Sequence, residues 1–115
     1  LLNLGALYGR TGRLEQARST FQALVKKWPE DGEAWYNLAL TEVRMNLPGP
    51  AVEHLENARA AGEERPPVLN LLARLLTRQG ERDRARQLLE QSLAAEPGQA
   101  AVRQALQALQ EEANP

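Results

Sequence analysis

The 115-residue sequence has no cysteine and no isoleucine, a single histidine and a formal net charge of −1. Without cysteine there are no disulfides and no thiolate chemistry, which leaves cytoplasm and periplasm equally open. Without isoleucine, and with Leu, Ala, Arg, Glu and Gln dominating, the chain is poor in β-branched residues and a sheet-rich fold is disfavoured. The balanced charge sets up no global field of the kind that draws nucleic acid or membrane surfaces. No apolar run approaches the about 20 residues of a membrane span, and no signal-peptide layout opens the chain. The Arg-, Leu- and Ala-rich composition is compatible with a high-GC bacterial gene. The length suits one domain with a real core.

What is present is a period. Gly12, Asn46 and Gly80 are spaced 34 residues apart, and each is a residue type that tolerates the left-handed conformation ending a helix. The same spacing relates Ala17, Ala51 and Ala85; Phe21, Leu55 and Leu89; Leu4, Leu38 and Leu72; Gly5, Ala39 and Ala73; and Leu1, Trp35 and Leu69. Pro29 and Pro97 stand two periods apart, with Glu63 in the slot between. No insertion or deletion interrupts the columns.

Each period predicts two helices. Leu1, Leu4, Leu7 and Tyr8 recur at helical spacing, Thr11-Gly12 stops that helix, and Leu14, Ala17, Phe21, Leu24 and Val25 trace the next, ended near Pro29. Trp35, Leu38, Ala39 and Val43 begin the second pair, which turns through Asn46-Leu47-Pro48-Gly49-Pro50 and continues along Ala51, Leu55 and Ala58 to Gly62. Pro66-Pro67 opens the third, with Leu69, Leu72, Ala73 and Leu76 on one stripe and Ala85, Leu88, Leu89 and Leu93 on its partner. The small columns allow close helix approach while the large ones fill the space beside them.

These columns resemble the tetratricopeptide repeat, whose pattern is W-x2-L-G-x2-Y followed by Ala, Phe, Ala and Pro at set offsets. Leu4, Gly5, Tyr8, Ala17, Phe21 and Pro29 carry the match in the first repeat. Trp35, Leu38, Ala39, Ala51, Leu55 and Ala58 carry it in the second, and Leu69, Leu72, Ala73, Gly80, Ala85, Leu89 and Pro97 in the third. The expected fold is all-α: a right-handed α-solenoid of three helix–turn–helix units, at 1–31, 32–65 and 66–98, plus a C-terminal capping helix and tail at 99–115. Three departures stand out. Glu42 occupies the large tyrosine slot, which predicts looser or partly solvated packing there. Glu63 replaces the terminal proline, a role Pro66-Pro67 can take. Pro48 and Arg82 occupy the slot that Leu14 fills in the first repeat.

Residue 1 falls a few positions inside the first repeat, so the sequence reads as part of a longer protein, its C-terminal part. The uncapped start, with Leu1, Leu2 and Leu7, presents an apolar patch suited to self-association. Residues 99–112 read as one helix with Val102, Ala105, Leu106 and Leu109 on its apolar stripe and Gln104, Gln107, Gln110 and Glu111 opposite, as a solvating cap requires.

The resemblance implies a concave groove, lined by the first helix of each repeat, that receives a peptide of a protein partner. Carried over position by position, the groove falls on Leu2, Asn3, Ala6, Gly9 and Arg10, on Glu33, Tyr36, Asn37, Leu40 and Arg44, and on Asn70, Leu71, Arg74, Thr77 and Arg78. The best contact candidates are Asn3, Arg10, Tyr36, Asn37, Arg44, Asn70, Arg74 and Arg78. Arg10, Arg44 and Arg78 form a column of their own, with Arg74 one turn away, which suits acidic side chains or a terminal carboxylate. Arg near a helix C-terminus is also favoured by the macrodipole, and that alone can account for the column. The clamp by which some relatives grip chaperone tails needs Lys, Asn, Asn, Lys and Arg at positions that here are Leu2, Ala6, Asn37, Pro67 and Leu71; only Asn37 fits.

Catalysis has little to stand on. With no cysteine and one histidine, neither a zinc site nor a Cys–His pair can be assembled, and no cofactor is expected. His54 reads as an ordinary solvent-facing residue without a partner. Glu63-Glu64 and Glu111-Glu112 read as solvated charge, and no glycine-rich phosphate loop occurs. Trp35 is expected to pack between repeats; Trp28, at a helix end, is expected half exposed, with an interaction role open to it. The leading reading is a non-catalytic protein-interaction scaffold without nucleic-acid binding or membrane insertion. A structural or oligomerisation module and an accessory domain of a larger enzyme are the alternatives.

Overall fold

The computed structural model describes residues 2–113, with side chains described for 12–111. It contains six helices and, among the described residues, no strand: α1 (Leu2–Lys27), α2 (Gly32–Arg44), α3 (Pro48–Ala60), α4 (Pro66–Arg78), α5 (Arg82–Ala95) and α6 (Ala100–Ala113). The chain divides into two compact bodies, Leu1–Glu63 holding α1 to α3 and Glu64–Pro115 holding α4 to α6.

The helix boundaries follow from capping chemistry. Asp31 caps α2, its side chain accepting a hydrogen bond from the Ala34 amide at 3.1 Å. Pro48 and Pro66 open α3 and α4, where a missing N–H is no loss. The α2–α3 turn closes at Asn46, held at φ 61°, with the Leu47 amide donating to the Glu42 carbonyl at 2.8 Å and the Asn46 amide to Val43 at 3.0 Å. The α4–α5 turn repeats this at Gly80, φ 83°, with Glu81 donating to Leu76 at 2.9 Å. Both are the double closure that a left-handed residue makes possible after a helix. In each case the second helix folds back and packs on the first.

The first period departs from this pattern. The expected stop at Thr11-Gly12 is absent: α1 runs unbroken for 26 residues, and Gly12 is not among the glycines at positive φ. Glycine inside a helix loses about 1 kcal/mol against alanine but does not break it. Beyond its chain neighbours and its own helix backbone, no atom of the described residues lies within 4 Å of a Cβ placed at Gly12, so no contact there compels a turn.

In the first body, Val25, Ala34 and Leu38 form a buried cluster flanked by Phe21, Leu24 and Trp35. Trp35 thereby packs between the first two repeats, with its indole N–H donating to the Pro29 carbonyl at 2.8 Å. Ala39, Ala51, Leu55 and Ala58 are fully enclosed between α2 and α3. In the second body, Val68, Leu69, Leu72, Ala73, Leu75 and Leu76 of α4 meet Ala85, Leu88 and Leu89 of α5. Helix α6 adds Val102 and Leu109 against α5 and leaves Gln104, Gln107 and Gln110 exposed.

Candidate functional site

The groove positions were assigned to the first helix of each repeat, so the faces of α2 and α4 are where the structure places them. On α4, Asn70, Arg74 and Arg78 follow one another at four-residue spacing and share a face. Arg74 and Arg78 are exposed, Asn70 is half-buried, and α4 carries no acidic residue. Among the described residues neither arginine has an ion-pair partner, whereas Arg18, Arg59 and Arg86 each face a carboxylate. Thr77 donates its hydroxyl back to the Ala73 carbonyl at 2.8 Å. Leu71 is a correction: it is buried, because α4 turns a broad apolar arc inward and Leu71 falls inside it.

On α2, Tyr36, Asn37 and Leu40 are half-buried, while Glu33 and Arg44 are exposed. The Asn37 carbonyl accepts from the Thr41 hydroxyl at 2.9 Å. Asn3 and Arg10, with Leu2, Ala6 and Gly9, lie outside the residues whose side chains are described, as do Leu1 and Leu7 of the expected apolar patch. Trp28 is 44% exposed, with the Lys27 ammonium 4.6 Å from its ring centre.

Asn70 is held from behind. Gln99, just ahead of α6, donates its amide to the Ser92 and Glu96 carbonyls at 3.1 and 2.9 Å and to the Ser92 hydroxyl at 3.0 Å. Carbonyls only accept, so Gln99 must turn its NH2 towards them and its oxygen towards Asn70, whose own NH2 donates at 2.8 Å. The donor pattern thereby fixes the Asn70 amide, and its oxygen is buried without a described partner.

Two further residues overturn sequence expectations. Glu42 is not loosely solvated: its exposure is 0%. Its carboxylate accepts from Arg18 on α1, through Nε and Nη2 onto Oε2 at 3.1 Å each, and meets His54 Nδ1 on α3 at 2.6 Å through Oε1. His54 is therefore partnered rather than solvent-facing, its side chain 18% exposed, and its ring lies 5.5 Å from that of Trp35 at 31°. The signal for this cluster was available. A charged residue in the column of the enclosed Leu76 demands a partner, since an unpaired buried charge is far too costly. Three helices contribute to the Glu42 cluster, and with its carboxylate fully enclosed the arrangement reads as an internal clamp. Among the described residues no group of three or more His, Asp or Glu could hold a metal ion, and no helix is long and apolar enough to cross a membrane.

Comparison with known proteins places the fold. The Tetratricopeptide repeat family profile matches residues 44–109, and a second profile of the same description matches 2–46. No curated protein matches the sequence significantly. Among solved structures, the type III secretion chaperone SycD of Yersinia enterocolitica, in complex with a peptide of the translocator YopD, is similar with a TM-score of 0.79 at 18% identity, over 97% of this chain and 91% of that one. The first TPR of Spaghetti, bound to the HSP90 peptide SRMEEVD, gives 0.81 at 15% identity, over 98% and 90%. MamA gives 0.79 at 23% identity, over 96% of this chain and 60% of that one. Identities this low establish a shared fold.

Proposed function

Because this chain belongs to the tetratricopeptide repeat family, we propose that it is a non-catalytic protein-interaction scaffold that takes up a peptide segment with acidic side chains on the outward face of α4, with the outward face of α2 offering a second surface of the same kind. The observation that carries the reading is the pair Arg74 and Arg78. Like charges one helical turn apart repel, and on α4 nothing acidic offsets them. The macrodipole accounts for Arg44 and Arg78, each in the last turn of its helix, but not for Arg74, one turn earlier. A surface that keeps two unpaired guanidinium groups side by side is suited to carboxylates, which each can grip in bidentate fashion. Asn37 and Tyr36 supply amide and hydroxyl groups for a peptide backbone, while the Asn70 amide is turned inward onto Gln99. SycD and Spaghetti are both seen with peptides bound, which supports the general reading. The chaperone-tail clamp is not part of it, since only Asn37 of that residue set is present. Asn3 and Arg10 complete the proposal on the first repeat.

Titrating a fluorescent Glu-Ser-Glu-Ser-Glu peptide into the wild type and into the Arg74→Ala/Arg78→Ala double variant tests it. The expected result is binding that weakens at least tenfold in the variant, about 1.4 kcal/mol. Equal affinity for both proteins overturns the assignment.

A second reading, self-association, is favoured by one observation. Ala17, Phe21 and Leu24 are only half-buried in α1, whereas the residues in their columns, Ala51, Leu55 and Ala58 and again Ala85, Leu89 and Ser92, are buried. An apolar stripe that is enclosed in the second and third repeats and part-open in the first is suited to contact with a second copy. Light scattering over a dilution series tests it, a monomer at every concentration being the adverse result.

A further inference from the structure

The exposed strip of α4 is narrow and polar. Every apolar residue of α4 between Asn70 and Thr77 is buried, Leu71 and Leu75 included, so the guanidinium pair has no apolar flank at the surface. Donors are scarce as well. The Thr77 hydroxyl donates back to the Ala73 carbonyl, and the Asn70 amide donates to Gln99 at 2.8 Å. What remains for an incoming chain is the pair Arg74 and Arg78, one turn apart on one face. At about 1.5 Å per residue, these two positions are about 6 Å apart along the axis.

We infer that this strip reads spacing as well as charge: it takes an extended segment in which two acidic residues are separated by a single residue. This rests on the acidic-peptide reading and specifies its register. A docking helix settles an apolar face into a groove, and around Arg74 and Arg78 there is no apolar surface of α4 to receive one. In an extended chain the side chains alternate between two faces, and residues two apart share a face at a step of about 6.7 Å. That step matches the rise between the two arginines, so each guanidinium meets its own carboxylate. Adjacent acidic residues, or acidic residues three apart, turn one carboxylate to the far face. Acidic residues four apart share a face but stand about 13 Å apart, twice the arginine step. The next position along the strip is Asn70, whose amide is committed to Gln99, so a third acidic residue has no donor to meet.

Peptides of identical composition and charge separate spacing from net attraction: Ser-Glu-Ser-Glu-Ser, Ser-Glu-Glu-Ser-Ser, Glu-Ser-Ser-Glu-Ser and Glu-Ser-Ser-Ser-Glu, each labelled at its amino end and amidated at its carboxyl end. Each is titrated into the wild type, Arg74→Ala, Arg78→Ala and the double variant. The alternating peptide is expected to bind about threefold tighter than the others, because a mismatched one loses half of a tenfold effect in free energy. Either single variant is expected to bring the alternating peptide down to the level of the rest and so erase the preference. Extending it to Glu-Ser-Glu-Ser-Glu is expected to gain no more than the about twofold that a second register supplies. A larger gain overturns the limit of two carboxylates. Equal affinities in the wild type that all fall in the double variant overturn the spacing and leave the acidic-peptide reading standing. A preference for Glu-Ser-Ser-Ser-Glu overturns the extended form in favour of a helical ligand. Affinities untouched by the double variant overturn both.

Discussion

Removing the carboxylate of Glu42 leaves a guanidinium and an imidazole facing a space closed to water. Breaking one member of a buried ion cluster typically costs about 3–5 kcal/mol, less where the partners reach solvent. Arg18 and His54 both do in part, so Glu42→Gln is expected to lower stability by about 2–3 kcal/mol in urea unfolding at neutral pH. Replacing all three by apolar residues of similar volume, Arg18→Met, Glu42→Leu and His54→Phe, is expected to recover most of that loss, because the ions no longer need desolvating. A triple variant as unstable as Glu42→Gln would contradict this account. The column alone misread Glu42 because its partners are 24 and 12 residues away on other helices. Periodicity reports which face a residue is on, and is silent about what meets it there.

At the level of single helices, the ends were legible wherever a residue compelled them. Prolines at 48 and 66, the Asp31 cap and left-handed residues at 46, 62 and 80 all act locally, and the helices begin or stop beside them. Gly12 belongs to the same column but only permits a turn, so its outcome depends on packing that local chemistry does not determine. Asp31→Ala should cost about 1 kcal/mol by freeing the Ala34 amide, seen as a Tm lowered by a few degrees. Ala51→Leu, fully enclosed between α2 and α3, should overpack that contact by about 1–3 kcal/mol. An unchanged Tm for Ala51→Leu would mean the small column is not the point of closest approach. Of the candidate positions only exposure can be compared: Arg74 and Arg78 are exposed as the carried-over pattern asks, while Leu71 is enclosed because α4 is apolar over more of its circumference than a two-sided helix would be.

For the whole molecule, the near-zero charge hides an uneven distribution. With 14 basic and 15 acidic residues, affinity for an acidic peptide must come from local guanidinium groups rather than a net field. Such contacts are screened over about 8 Å at physiological ionic strength. Raising salt from about 50 to about 500 mM is therefore expected to weaken the acidic peptide several-fold in the wild type and hardly at all in Arg74→Ala/Arg78→Ala. Salt-independent binding by the wild type would point to apolar recognition instead.

The division into two bodies has a practical corollary. Every tryptophan, tyrosine and phenylalanine of the chain lies in Leu1–Glu63, and Glu64–Pro115 has none. Near-ultraviolet signals therefore observe only the first three helices, while the amide region observes all six. A mismatch between melts recorded in the two windows would reveal that the aromatic-free part comes apart at its own temperature, with no label attached.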